Sequence, residues 1–198
     1  MYRYLVAVLV CLCVLATANA AKLGDKGKGW KVKRNKKTGD LYCQYNGKFK
    51  LAPDSTSCKQ KGAVIGFSDP DQGCTKFHPV TIKSSSDVKE APKSVIFTIK
   101  PRRKGYNIIA QNGCVAKYLS LGEDPTQQDE GADADVELDN SSKWTWAVSP
   151  NNYDEDSIDC LNNVDIMSQK YRTSLSPNAD CTNLIYDGDE SDWTLIPV

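Results

Sequence analysis

Short stretches in which large apolar residues alternate with polar or small ones recur along the chain after its first twenty residues. They run from Trp30 to Val32, Phe49 to Leu51, Val95 to Ile99, Ala134 to Leu138, Trp144 to Val148 and Trp193 to Leu195. A period of two puts one face of each stretch on a core and the other in water, the pattern of a half-buried strand. Turn signals separate them: Lys37 to Asp40, Asn46 with Gly47, Asp69 to Gly73, Gln111 to Gly113, Ser176 to Asn178, and Asp187 with Gly188. Glycine and asparagine supply positive φ there, and proline presets φ. Strands at short spacing predict an all-β sandwich or barrel.

A longer period lies over this alternation. An aromatic-x-aliphatic step recurs at Trp30–Val32, Phe97–Ile99, Trp146–Val148 and Trp193–Leu195, and the last three are followed by Pro101, Pro150 and Pro197. Between steps the order of events repeats. After Phe97 come 106–109, 118–121 and 136–138; after Trp146 come 164–167, 173–175 and 184–186; after Trp30 come 41–43, 49–51 and 64–67. Three units of four strands follow, at about 30–96, 97–145 and 146–198, and fixed-period similarity of this kind marks a repeat architecture. The pattern resembles the β-trefoil superfamily over nearly all of residues 21–198, and the resemblance implies a single disulfide-stapled β-trefoil domain. Gly29–Trp30 is similar to the Gly-x-Trp of lipocalins, but Lys28 stands where that pattern needs glycine.

The first unit is longer than the others, which predicts an insertion within Ser68 to Ser94. Long loops on rigid scaffolds tend to carry binding. With Phe77 to Ile82, this region is similar to the first unit of soybean-type Kunitz protease inhibitors, and that likeness implies an exposed loop presented to a protease. Six cysteines where that family commonly has four mean that no reactive bond is carried over.

Composition sets the compartment. Arg3 precedes an apolar run from Leu5 to Ala16, followed by Ala18-Asn19-Ala20, so residues 1–20 read as a secretory signal and the mature chain is expected near Ala21. No later run approaches the roughly 18 apolar residues of a membrane span. Cys43, Cys58, Cys74, Cys114, Cys160 and Cys181 then remain for disulfides in an oxidising compartment. Of the 15 possible pairings, Cys160 with Cys181 is expected, because both fall in the third unit beside adjacent strands. Asn140-Ser141-Ser142 is an N-glycosylation sequon.

A formal net charge of zero hides a division. Residues 22–104 hold 20 Lys and Arg against 7 Asp and Glu, whereas residues 105–198 hold 4 against 18. Two basic stretches stand out, one with Lys33, Arg34, Lys36 and Lys37, the other with Arg102, Arg103 and Lys104. As connections in equivalent places of units one and two, they are expected on the same end of the barrel, where they would bind sulfate or another polyanion. Pairing between the two halves is the alternative. The corresponding connection of unit three is opposite in sign, with residues 151–156 and Asp159. Together with Glu123, Asp124, Asp129, Glu130, Asp133, Asp135 and 187–192 it makes the second half rich in oxygen ligands, but no segment matches an EF-hand loop. Weak calcium or mineral contact is all it predicts.

Catalytic signatures are missing from the sequence. His78 is the one histidine, and there is no HExxH, Gly-x-Ser-x-Gly, phosphate-cradling glycine loop or CxxC pair. No enzyme, cofactor, resident metal or nucleic-acid partner is expected. Gln-x-Trp, carried by ricin-type lectins of the same superfamily, is also absent. What remains is a secreted macromolecule-binding protein. Its expected partner is an extracellular protein such as a protease, or, alternatively, matrix polyanions such as sulfated polysaccharide together with cations; a growth-factor or cytokine role is a further alternative.

Overall fold

The computed structural model describes residues 29–54, 62–67, 78–90, 92–110, 117–129, 131–151, 157–187 and 192–198. The expected signal segment and Cys58, Cys74 and Cys114 lie outside the described residues. So do residues 68–77 and 91 of the expected inhibitory loop.

Two strands, β1 (Trp30–Arg34) and β2 (Leu41–Tyr45), form a hairpin of their own. The remaining twelve fall into three units of four. The first is β3 (Gly47–Pro53), β4 (Val64–Phe67), β5 (His78–Lys83) and β6 (Phe97–Pro101). The second is β7 (Tyr106–Ala110), β8 (Tyr118–Leu121), β9 (Val136–Asp139) and β10 (Trp146–Pro150). The third is β11 (Val164–Ser168), β12 (Ser174–Pro177), β13 (Leu184–Asp187) and β14 (Trp193–Pro197).

Within each unit the first and fourth strands pair: β3 with β6, β7 with β10, β11 with β14. Each fourth strand also pairs with the next unit's first, β6 with β7, β10 with β11 and β14 with β3, so six strands close into a barrel without an edge. The second and third strands form the hairpins β4–β5, β8–β9 and β12–β13, which cover one end. This is a β-trefoil.

The register repeats as faithfully as the topology. Phe97 faces Ala110, Trp146 faces Ser168, and Trp193 faces Pro53. All three aromatic rings are fully buried. The indole N–H groups of Trp146 and Trp193 donate to the carbonyls of Leu119 and Leu175, equivalent positions on β8 and β12. Ile99, Val148 and Leu195 form the next layer, with Leu51, Ile108 and Ile166 from the first strands. Alternation along six strands thus fills the barrel with side chains.

The strand pairing places the unit boundaries differently from the sequence period. Unit one was expected to open at Trp30, but the hairpin β1–β2 stands outside the threefold set. Trp30 and Val32 imitate a barrel strand because the hairpin also buries one face. Cross-strand partners Trp30 and Tyr45, and Val32 and Cys43, turn that face to the core, where Tyr45 and Cys43 are buried and Trp30 and Val32 pack at its margin.

The expected pairing of Cys160 with Cys181 is corrected. Cys160 is bonded to Cys43, 117 residues away. Cys160 lies in the β10–β11 connection, whereas Cys181 lies in the turn of the β12–β13 hairpin, at the other end of the same unit. Adjacency of strands in sequence did not bring the two cysteines together. Cys181 is itself disulfide-bonded, to a cysteine outside the described residues.

Part of the expected exposed insertion is structural. Residues 78–83 form β5, paired with both β4 and β9. A short helix, α1 (Ser85–Glu90), and a 3-10 turn at Pro92–Val95 lead back to the barrel. Ser84 and Asp87 cap α1 reciprocally, each backbone N–H donating to the other's side chain. Ser94 and Val95 are buried, which fastens the segment to the core.

Candidate functional site

The barrel end away from the three cap hairpins carries the connections from each fourth strand to the next first strand. Three prolines end those fourth strands, and the residue after each donates its N–H across the connection. Arg102 donates to the Gly105 carbonyl at 2.9 Å, Asn151 to Asn163 at 2.8 Å, and Val198 to Lys48 at 3.1 Å. In the third place Val198, after β14, meets the start of β3. The hairpin β1–β2 enters the barrel there.

Tyr45 anchors the hairpin over this end. Its ring packs edge-on against Phe49 of β3 and Tyr106 of β7, and its hydroxyl donates to the Cys160 carbonyl at 2.9 Å. One residue thus touches elements from all three units. The Tyr106 hydroxyl donates to the Cys43 carbonyl at 3.3 Å and accepts the Tyr45 N–H at 3.5 Å. Burial pushes the Tyr106 phenol above its ordinary value, partly offset by that N–H.

The outer hairpin face is basic. Lys31 and Lys33 alternate with the buried-face residues, and Lys33 stands directly across from Tyr42, which is 43% exposed. At the tip, Arg34 donates to the Gly39 carbonyl at 2.6 Å, and the Asn35 side chain accepts the Lys37 N–H at 3.0 Å. Lys36 and Lys37 are left exposed on a shaped turn. On the neighbouring β6–β7 turn, Arg102 donates through Nε to the Asn107 side chain, while Arg103 and Lys104 are exposed.

The structure joins the β1–β2 hairpin and the 102–105 turn to the same end of the barrel, but not as the symmetry mates that the unit repeat predicted. The counterparts of 102–105 are the β10–β11 connection and the chain's end. Among the described residues, none of Lys33, Arg34, Lys36, Lys37, Arg102, Arg103 and Lys104 pairs with a carboxylate. Arg34 and Arg102 hold turns in shape and the five others present charge outward.

Asn107 carries the surface onward. It is 1% exposed, and its Nδ2 donates to the carbonyls of Ser142 and Trp144, so the basic turn is bonded to the segment entering β10. Gly105 completes the join. Its φ is +86°, and a Cβ there would lie 2.4 Å from the Trp146 carbonyl oxygen, so only glycine fits. Beside this join, half-buried Trp144 and Tyr171 form a notch, with ring centroids 6.2 Å apart and planes at 46°. The Trp144 indole donates to Asp139 at 3.2 Å. Lys170 places its ammonium 5.4 Å from the Trp144 centroid and 4.2 Å from that of Tyr171, an exposed cation–π contact worth about 0.5–1 kcal/mol.

Sequence reasoning missed this notch. It read Trp144 and Trp146 as one buried face; β10 begins at Trp146, and Trp144, before it, is only partly buried, packed against the margin of the core. Two tryptophans so close to an expected strand end were the available signal. Asn140, the sequon residue, is exposed immediately after β9.

Acidic residues line the cap hairpins, but exposed Asp159 lies in the β10–β11 connection, at the barrel end that carries the basic turns. Tyr186 of β13 accepts the Asp135 N–H at 3.3 Å, and its phenol is pushed up to about 12, first by burial, with the charge of Glu123 adding to the rise. Among the described residues no group of three or more His, Cys, Asp or Glu is arranged to hold a metal ion. No described helix is long and apolar enough to cross a membrane.

No protein-family model matches the chain, and no curated protein matches its sequence. Solved structures resemble its fold. A Macrolepiota procera ricin B-like lectin in complex with lactose superposes with a TM-score of 0.52 at 14% identity, covering 78% of this chain and 98% of that one. The Rhizoctonia solani agglutinin gives 0.50 at 14%, covering 78% and 97%. The Polyporus squamosus lectin, bound to a Neu5Ac-terminated influenza-binding epitope, gives 0.50 at 14%, covering 77% of this chain and 49% of that one. The chain thus spans about half the length of that last lectin. At these identities the likeness bears on the fold, which is the β-trefoil that the strand register defines.

Proposed function

We propose that the protein is an exported, non-catalytic β-trefoil that binds an anionic polysaccharide at the basic end of its barrel. The observation that carries this reading is the set of exposed Lys36, Lys37, Arg103 and Lys104, with Lys33, none engaged by a carboxylate among the described residues. Uncompensated charge on a covalently anchored hairpin and a short turn costs the fold self-repulsion, which a polyanion relieves. Arginine offers a forked donor to sulfate or carboxylate and lysine a point charge. The saccharides bound by similarly folded lectins favour a sugar polymer over an acidic protein.

Protease inhibition through 68–94 finds less support, because β5 and the buried Ser94 and Val95 commit much of that stretch to the fold. Export and glycosylation at exposed Asn140 belong to the same proposal. N-terminal sequencing of the secreted product should begin near Ala21.

The direct test is elution of the purified mature chain from immobilised sulfated polysaccharide along a salt gradient. Retention should fall with salt as screening shortens the reach of surface charge to about 8 Å at physiological ionic strength. Replacing Lys33, Lys36, Lys37, Arg103 and Lys104 by Gln should weaken binding by about tenfold or more, some 1.4 kcal/mol, and flatten the salt response. Passage of the wild-type chain without retention at low salt would refute the reading.

A further inference from the structure

The notch formed by Trp144 and Tyr171 continues the basic surface. Three observations join them. The Arg102 guanidinium bonds to Asn107, and Asn107 in turn bonds to the Trp144 carbonyl. Gly105 lies against the Trp146 carbonyl, and the nearest side-chain carbon beyond it belongs to Gln169. The Gln169 N–H donates to the Thr145 carbonyl at 3.0 Å, fixing the turn that presents Lys170 and Tyr171 beside Trp144. The sequence from basic turn to aromatic notch is therefore one connected surface between units two and three.

Its chemistry is mixed in a way that charge alone does not explain. Two half-exposed rings offer apolar faces, Asp139 holds the Trp144 indole in place, and Lys170 sets one positive charge between the rings. A polyphosphate or nucleic-acid backbone would use the ammonium and leave the ring faces idle. A pyranose has apolar C–H faces and a polar rim, so it would stack on an indole or phenol while a ring sulfate or carboxylate reached a cation. The exposed Lys170 ammonium is held by a hydrogen bond to the Tyr171 hydroxyl and by the two rings, with no ion pair among the described residues. A stacking sugar exchanges those contacts for its own.

We infer that Trp144, Tyr171 and Lys170 form a pyranose-stacking subsite, so that the ligand of the basic end is recognised as an anionic saccharide and not merely as a polyanion. Arg103 and Lys104 take anionic groups on neighbouring residues of the same polymer. Trp144 and Tyr171 select the sugar ring. This inference rests on the polysaccharide reading above and specifies which units of the polymer the protein reads.

The experiment compares a sulfated pyranose oligosaccharide with inorganic polyphosphate of matched charge, by calorimetry and tryptophan fluorescence, on the full mature chain. The saccharide should bind about tenfold more tightly and change the emission of a Trp30→Phe background, in which Trp144 is the one partly exposed tryptophan and Trp146 and Trp193 are buried. Tyr171→Ala should abolish that preference, and Lys170→Gln, at an exposed position, should reduce saccharide affinity with a fall in melting temperature of no more than about 2–4 °C. Trp144→Phe keeps a ring in place and should remove the fluorescence response while retaining most of the binding. Equal affinity for the two probes, with Tyr171→Ala and Lys170→Gln behaving as wild type, overturns the subsite and leaves charge-only binding at the basic end. Failure of the wild-type chain to bind either probe overturns the polysaccharide reading itself and the subsite with it.

Discussion

The Tyr45 hydroxyl donates to the carbonyl of Cys160, 115 residues further along the chain, and the same Cys160 is disulfide-bonded to Cys43 two residues before the tyrosine. A covalent and a hydrogen bond thus fix one hairpin to one connection of the barrel. The outer face of that hairpin carries the charge on which the proposed function depends. Its rigidity is therefore part of the site.

Replacing Tyr45 by Phe keeps both edge-on ring contacts and removes the donor. The Cys160 carbonyl would then lose that buried partner, so the expected loss is about 1–3 kcal/mol. Urea unfolding measures it. A change below about 0.5 kcal/mol, the usual span of a neutral surface substitution, would show that water replaces the hydroxyl and that Tyr45 acts by packing alone.

Paired Cys43→Ser and Cys160→Ser substitutions remove the covalent tie. The expected destabilisation is about 2–4 kcal/mol, because the bridge closes a long loop in the unfolded chain. The barrel has its own closed set of six strands, so its amides should keep their hydrogen-exchange protection while those of 30–45 lose it. Salt-dependent polyanion binding should weaken with them. Uniform loss of protection would mean that hairpin and barrel unfold as one unit.

Much of the trefoil was legible because its core demands one large residue at each repeat of a strand register. Phe97, Trp146 and Trp193 are equivalent both in sequence and in the barrel, down to the proline four residues on. The phase was not legible, since Trp30 and Val32 on an added hairpin show the same alternation for a different burial partner. Cys160 with Cys181 failed for a related reason: nearness along the chain says nothing about which end of a strand pair a residue occupies. The basic residues were found, because uncompensated charge leaves a compositional mark. Trp144 and Tyr171 were not, as half-exposed rings look like core in one dimension.

The threefold set contains an internal comparison. Trp146 and Trp193 each bond a strand carbonyl through the indole, at 2.9 and 2.6 Å, while Phe97 fills the equivalent site without a donor. Trp146→Phe and Trp193→Phe should therefore be tolerated in fold but cost stability twice, through an unpaired buried carbonyl and through a cavity. Together these amount to about 2–4 kcal/mol each. Thermal unfolding with near-ultraviolet dichroism separates loss of stability from loss of packing. A near-neutral effect at either position would mean that the barrel recloses around phenylalanine as it does at Phe97.

Tyr186 gives the cap a specific response to alkali. Its phenol is raised from about 10 to about 12, by burial first and then by the nearby Glu123 and Asp135 carboxylates, with the Asp135 N–H pulling the other way. The folded state thus resists ionisation that the unfolded chain accepts near 10. Its contribution to stability is fully present below about pH 10 and is lost as pH rises through about 12. Tyr186→Phe cannot ionise, so its stability should fall less steeply than wild type over that interval, although it starts lower for want of the hydroxyl that accepts the Asp135 N–H. Denaturant midpoints between pH 8 and pH 12, with phenolate absorbance at 295 nm as a second signal, test this directly. Parallel curves for the two proteins would place the alkaline response elsewhere, with Tyr106, whose phenol burial also raises, as the next residue to replace.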